Sequence, residues 1–109
     1  MKTSVLTALA FGIALCAPEA SFAAGDAAKG KDLFVKRCRM CHGEDGAGTP
    51  AMQKKFPKML ALASAEVQKK TDAVLIQEIK ETANHKAIVK TLTDGDVENL
   101  VAFVRTFKK

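Results

Sequence analysis

The distribution of apolar and polar residues divides the chain into an apolar N-terminal run and three amphipathic stretches joined by glycine- and proline-containing connections. After Lys2, the segment VLTALAFGIALCA is almost wholly apolar, and Ser21-Phe22-Ala23 places small residues at the two positions a signal peptidase reads. This pattern predicts a secretory signal peptide over residues 1–23, cut after Ala23. The run is shorter than the ~20 residues needed to cross the hydrocarbon core and no stop-transfer charges close it, so no stable membrane insertion is expected. Leu15 stands where a lipidation site needs a small residue, which argues against acylation of Cys16.

The three amphipathic stretches predict helices. From Asp26 to Arg37, Asp26 can cap, and Ala27, Gly30, Leu33, Phe34 and Arg37 recur with helical spacing. Gly30 costs ~1 kcal/mol of helix propensity relative to alanine, which leaves two readings: close approach of another helix, or an incidental first-turn glycine. Thr71 or Asp72 opens DAVLIQEIKETA, whose Leu75, Ile76, Ile79 and Ala83 share a face. Thr93 caps the last helix, with Asp96 at the capping-box position and Asp94 adding favourable charge. There Val97, Leu100, Val101 and Val104 form the stripe, Phe103 and Phe107 an i,i+4 pair, and Arg105, Lys108 and Lys109 suit the C-terminus. Between these, Gly43 to Pro50 (GEDGAGTP) reads as a turn-rich loop. Pro57 breaks any helix begun near Gln53, and Leu60 to Ala65 reads as a short turn or an irregular segment. No long alternating stretch argues for a sheet. The expectation is one all-α domain over residues 24–109.

Composition sharpens this picture. Lys2 and Glu19 cancel, so residues 24–109 keep the formal net charge of +5 of the 109-residue chain. Their aromatic residues are only Phe34, Phe56, Phe103 and Phe107. A chain this short buries a modest core and often needs a disulfide, a metal or a large apolar insert to hold one fold. With Cys16 in the leader, Cys38 and Cys41 remain, in the string CRMCH with His42 immediately after the second thiol. That spacing is the attachment signature of a c-type haem: two thiols on nearly one turn can form thioethers with the vinyl groups, and the adjacent imidazole reaches the iron. A dithiol or short disulfide is the plainer reading, but no βαβ pattern precedes the pair. A zinc ribbon lacks its second cysteine pair.

With these residues in view, the chain resembles the small bacterial class I cytochromes c, monohaem periplasmic proteins. The resemblance runs through GDAAKGKDLF, CRMCHGEDGAGTP, TDAVLIQEIK and LTDGDVENLVAFVRTF, from Gly25 to Phe107. It implies a class I cytochrome c fold of about three to five helices around one covalently attached haem c. Gly30 and Phe34 then match the N-terminal helix contact, Phe103 the aromatic position of the crossing C-terminal helix, Cys38 and Cys41 the thioether cysteines, and His42 the proximal ligand. A proline carbonyl usually orients that histidine, and Pro50 and Pro57 are both candidates.

The departure is on the distal side. The family commonly supplies a methionine before the C-terminal helix; counting back from Leu92-Thr93-Asp94 places His85 there, and no methionine follows Met59. Direct ligation by His85 implies a bis-histidine, low-spin haem of lower potential than a His/Met site of similar burial. Met59 and Met52 are the competing sixth ligands, and an open position is the remaining reading. If His85 coordinates, its ring must be neutral, acid competes with the iron for it, and its other ring nitrogen should donate to a carbonyl or water.

Two protein ligands would leave no site for a substrate, so the expected operation is reversible one-electron exchange in the periplasm, not enzymatic turnover. A gas sensor or peroxidase-like enzyme with a labile sixth position is the alternative, although no distal acid/base pair supports peroxide chemistry. Lys54, Lys55, Lys58, Lys69, Lys70, Lys86 and Lys90 fall in segments expected to border the cofactor, where they would steer an acidic redox partner; an ordinary solvated surface is the plainer account. Nucleic acid is not an expected partner, because no recognition motif accompanies the basicity.

Overall fold

The computed structural model describes residues 25–108, all without strand, and the expected leader over residues 1–23 lies outside them. The described helices are α1 (Ala27–Arg37), α2 (Arg39–His42), α3 (Pro50–Lys55), α4 (Ala65–Gln68), α5 (Asp72–Glu81), α6 (Lys86–Val89) and α7 (Asp94–Val104). Only α1, α5 and α7 exceed two turns; these are the three that hydrophobic periodicity predicts. The other four are single turns or little more, too short for a 3.6-residue period to register.

Local chemistry sets the ends of the long helices. The Asp26 carboxylate accepts from the Ala28 and Lys29 N–H groups. Thr71, not Asp72, caps α5 by accepting from Val74 N–H. At α7 the expected capping box is complete: Thr93 Oγ1 accepts from Asp96 N–H at 3.0 Å and the Asp96 carboxylate accepts from Thr93 N–H at 2.9 Å. Each such cap satisfies donors that a helix start otherwise leaves unpaired, worth roughly 1 kcal/mol. In the segment read as a loop up to Pro50, Thr49 instead caps α3 and Pro50 occupies its first turn, where the missing N–H costs nothing. The helix stops at Lys55, before Phe56 and Pro57, as pre-proline crowding requires.

The frame is the packing of α1 across α7. A Cβ on Gly30 would collide with the Asn99 carbonyl, and Asn99 Oδ1 also accepts from Asp26 N–H at 2.7 Å. Of the two readings of Gly30, close helix approach is therefore the one realised. Phe34 is buried on the same face, its ring 5.1 Å from Phe103 and 5.6 Å from Phe107, which lie 5.0 Å from each other. Separations and tilts of this kind suit the ring quadrupoles and add ~1 kcal/mol per pair beyond area burial. Phe107 completes the trio from a 3₁₀ turn (Arg105–Phe107) that continues α7.

All four residues of the α7 stripe, Val97, Leu100, Val101 and Val104, are buried. Val101 and Val104 join Leu75 of α5 and Val67 of α4 in one core, with Leu62, Ile76 and Ile79 packed against it. Arg105 does more than complement a helix terminus. Its guanidinium donates to the Asp72 carboxylate at 2.7 and 2.9 Å and to the carbonyls of Gln68 and Lys70 at 3.0 and 2.6 Å. One forked side chain thus ties the end of α7 to the junction of α4 and α5, a task suited to the planar guanidinium.

Candidate functional site

The hydrophobic core does not close. Between α1, α5, α7 and the segment 55–62 lies a cavity of about 710 Å³, within the ~300–1,000 Å³ typical of ligand and cofactor sites. Its walls are mostly apolar, from Phe34, Leu62, Leu75, Ile79, Val101 and Val104 among others. Cys38, Cys41, His42, His85 and Met59 all reach it, whereas Met52 does not line it.

The motif occupies the corner where α1 gives way to α2. The Cys38 N–H ends α1 on the Phe34 carbonyl, and the Cys41 and His42 N–H groups return to the Cys38 carbonyl at 3.2 and 2.9 Å. This tight return brings the two cysteines and the histidine to the same cavity. Cys38 is half-buried and Cys41 exposed. Burial, reinforced by the neighbouring Cys41, pushes the Cys38 thiol up to about 11 against the pull of Arg37.

His42 is held through its backbone: its carbonyl accepts from Gly48 N–H at 2.6 Å, while the Cys41 carbonyl accepts from Thr49 N–H at 3.1 Å. Gly48 has φ +92°, which favours glycine, and the Gln53 side-chain amide donates to the Ala47 and Gly48 carbonyls at 3.0 and 3.2 Å. The ring lies 6.3 Å from that of Phe34. Its Nδ1 is buried with no hydrogen-bond partner among the described residues. Pro50 is committed to the start of α3. Burial, and secondarily His85, depress the His42 pKa and favour its neutral, coordinating form.

His85 lies in a 3₁₀ turn (Ala83–His85) between α5 and α6. Its Nδ1 is 2.9 Å from the Ile79 carbonyl. An Nδ1–H donating there leaves Nε2 as the basic nitrogen. The His42 and His85 ring centroids are 6.1 Å apart. A single ion between two imidazoles requires about 6 Å, from two bonds of ~2 Å and ~1 Å from each nitrogen to its ring centre. The spacing, the apolar walls and the two thiols at one end fit a flat iron-bearing macrocycle.

The other sulfur is placed differently. A Cβ on Gly48 would stand 2.7 Å from Met59 Cε, so Met59 packs on the loop that holds His42. Of the lysines expected at the border, Lys55, Lys58 and Lys70 line the cavity and Lys54, Lys69, Lys86 and Lys90 do not. Lys70 is paired with Glu78 at 2.7 Å. Arg37 adds a cation that the sequence reading left out of the group. That reading also missed the supports of the site, the Ile79 carbonyl and the Gln53 amide; a backbone carbonyl has no sequence signal, and a glutamine in a basic segment reads as solvated surface.

Comparison with known proteins agrees with the geometry. The family model for cytochrome c matches residues 27–108. The chain is 32% identical over 95 residues to cytochrome c-554(547) of Halothiobacillus neapolitanus, covering 78% of this chain and all of that protein. Among solved structures it is similar to KustC0563 c-type cytochrome, with a TM-score of 0.61 and 34% identity over 73% of this chain and 98% of the other. The chain belongs to the cytochrome c family, with the all-α fold of a small class I cytochrome c. It carries covalently attached haem c and is an electron-transfer protein, not an enzyme.

Proposed function

We propose that this member of the cytochrome c family is a periplasmic one-electron carrier of relatively low potential, with His42 and His85 as the axial ligands and Cys38 and Cys41 as the thioether attachments. The observation that carries the reading is the 6.1 Å separation of the two imidazoles across a mostly apolar cavity. When bound there, haem supplies a reversible one-electron iron couple, and two imidazole donors favour its oxidised form more than an imidazole and a thioether do.

The chain's own residues do the rest. Cys38 and Cys41 would hold the cofactor covalently, and the Gly48 loop holds His42 through its backbone carbonyl. His85 closes the opposite side, aligned by the Ile79 carbonyl. With His42 and His85 both bound, the haem would offer no position to an exogenous ligand. Val67, Leu75, Val101 and Val104 exclude water and lower the local dielectric, which limits reorganisation when the charge changes. Export rests on the leader pattern of residues 1–23. Arg37, Lys55 and Lys58 at the cavity border suit an acidic face on the redox partner, with Met40, 85% exposed between the two cysteines, as an apolar contact.

Near-infrared and magnetic spectra of the oxidised and reduced protein test the ligand set. A bis-imidazole signature in the oxidised form, with low-spin iron in both states, is expected. A thioether-to-iron band in the near-infrared would transfer the sixth position to a methionine and overturn the assignment.

A further inference from the structure

The end of helix α5 is built in an unusual order. In a continued helix the Ile79 carbonyl would accept from the N–H of Ala83. Instead Thr82 turns out of the helix, with φ −62° and ψ 127°. It directs both its donors to the preceding carbonyl: Thr82 N–H to Glu78 O at 3.1 Å and Thr82 Oγ1–H to the same oxygen at 2.6 Å. That leaves the Ile79 carbonyl, at the negative end of the helix, open to a side chain. The His85 Nδ1 takes it at 2.9 Å, and the His85 N–H closes the turn on the Thr82 carbonyl at 2.9 Å.

We propose that Thr82 is a positioning residue for the sixth ligand: by ending α5 at Glu81, it releases the Ile79 carbonyl to hold the His85 tautomer and to strengthen the imidazole as a donor. This rests on the bis-histidine reading above. The physical case is a competition for one acceptor. Threonine is a poor helix former whose hydroxyl here duplicates the terminal helical bond, so both features favour stopping at Glu81. Alanine at the same position removes the hydroxyl and favours one more helical residue, which presents the Ala83 N–H to Ile79 O in place of the histidine ring. An acceptor on the far ring nitrogen raises ligand basicity, and losing such a partner typically weakens metal binding ~10–100-fold. Since the stronger donor favours the oxidised iron, its loss moves the potential upward.

The test compares the loaded wild-type protein with Thr82→Ala and Thr82→Ser. In Thr82→Ala, oxidised-state ligation should weaken about tenfold relative to the reduced state, which corresponds to a rise of about 59 mV for a one-electron couple. Carbon monoxide should also bind the reduced variant at least tenfold faster than wild type. Thr82→Ser, which keeps the hydroxyl, should restore both values. Equal potentials and carbon monoxide rates in wild type and Thr82→Ala would overturn the proposal, as would a serine variant that behaves like alanine. Should Thr82→Ala fail to fold, ¹⁵N NMR of the reduced wild type decides: a His85 Nδ1–H protected from solvent exchange supports it and a freely exchanging one overturns it. The wild-type magnetic spectrum keeps the two readings apart. A His/Met signature defeats the ligand assignment itself, whereas a bis-imidazole spectrum with an unchanged Thr82→Ala potential defeats only the role of Thr82.

Discussion

The two histidines that face each other across the cavity are positioned by opposite means. His42 stands beside Cys38 and Cys41 within one helical turn, and its Nδ1 is buried without a hydrogen-bond partner among the described residues. His85 has no such tether. It sits in a 3₁₀ turn between exposed residues, and its ring is oriented by a hydrogen bond to the Ile79 carbonyl. Under the bis-histidine proposal, that bond is what converts a nearby imidazole into an aligned one.

The largest effect expected from breaking this comparison is at the untethered side. His85→Ala should leave the haem attached but convert the low-spin spectrum to one with an open or water-filled sixth position, and the reduced form should then bind carbon monoxide readily. An unchanged low-spin spectrum would show that the oriented imidazole is not the ligand. The same variant measures how much of the orienting turn between α5 and α6 depends on the His85 ring.

The tethered side depends on the frame, because α1 leads directly into the motif and Phe34 lies against His42. Gly30→Ala places a methyl group into the Asn99 carbonyl of α7, so the helices must separate. Overpacking of this kind costs about 3 kcal/mol, measurable as a lowered denaturant midpoint. The ligand spectrum should survive in the folded fraction, since the thioether cysteines travel with α1. Loss of the low-spin spectrum before unfolding would mean that the helix crossing also sets the His42 position.

A smaller effect concerns protonation. The pKa of His42 is depressed from its ordinary 6.5 by burial first and by the neighbouring His85 second. The folded chain therefore resists the proton that the unfolded chain takes up near 6.5. The corresponding stability is complete above that value and is lost as pH falls through the lower, folded pKa. Denaturant midpoints recorded from about pH 8 down to about pH 5 should decline over the acid half of the range. Midpoints that rise on acidification would contradict a buried, neutral His42.

Much of the frame was legible because its causes are local. Thr93 and Asp96 form the capping box that their spacing predicts, and the Val97, Leu100, Val101 and Val104 stripe is buried. The short helices were not legible for the same reason in reverse: six residues from Pro50 to Lys55 carry too few apolar positions to define a face. The lysine group illustrates a different limit. Nearness in sequence to cavity segments does not say which way a side chain leaves its turn, so Lys55, Lys58 and Lys70 line the cavity while Lys54 and Lys69, their immediate neighbours, do not.

By itself, the sequence determined the chemistry held within one or two turns: thiols at positions 38 and 41 followed by an imidazole, helix starts at Asp26, at Thr71 or Asp72, and at Thr93, and a glycine at position 30 available for a close crossing. Only the tertiary structure decided that His42 and His85, 43 positions apart in number, lie 6.1 Å from ring to ring, that Met59 packs on the Gly48 loop, and that the freed carbonyl of Ile79 meets a histidine. The physical reason is separation along the chain. Caps and motif spacing follow from bonded geometry, whereas the gap between two distant imidazoles is set by how α1 crosses α7 and how α5 packs on the core between them.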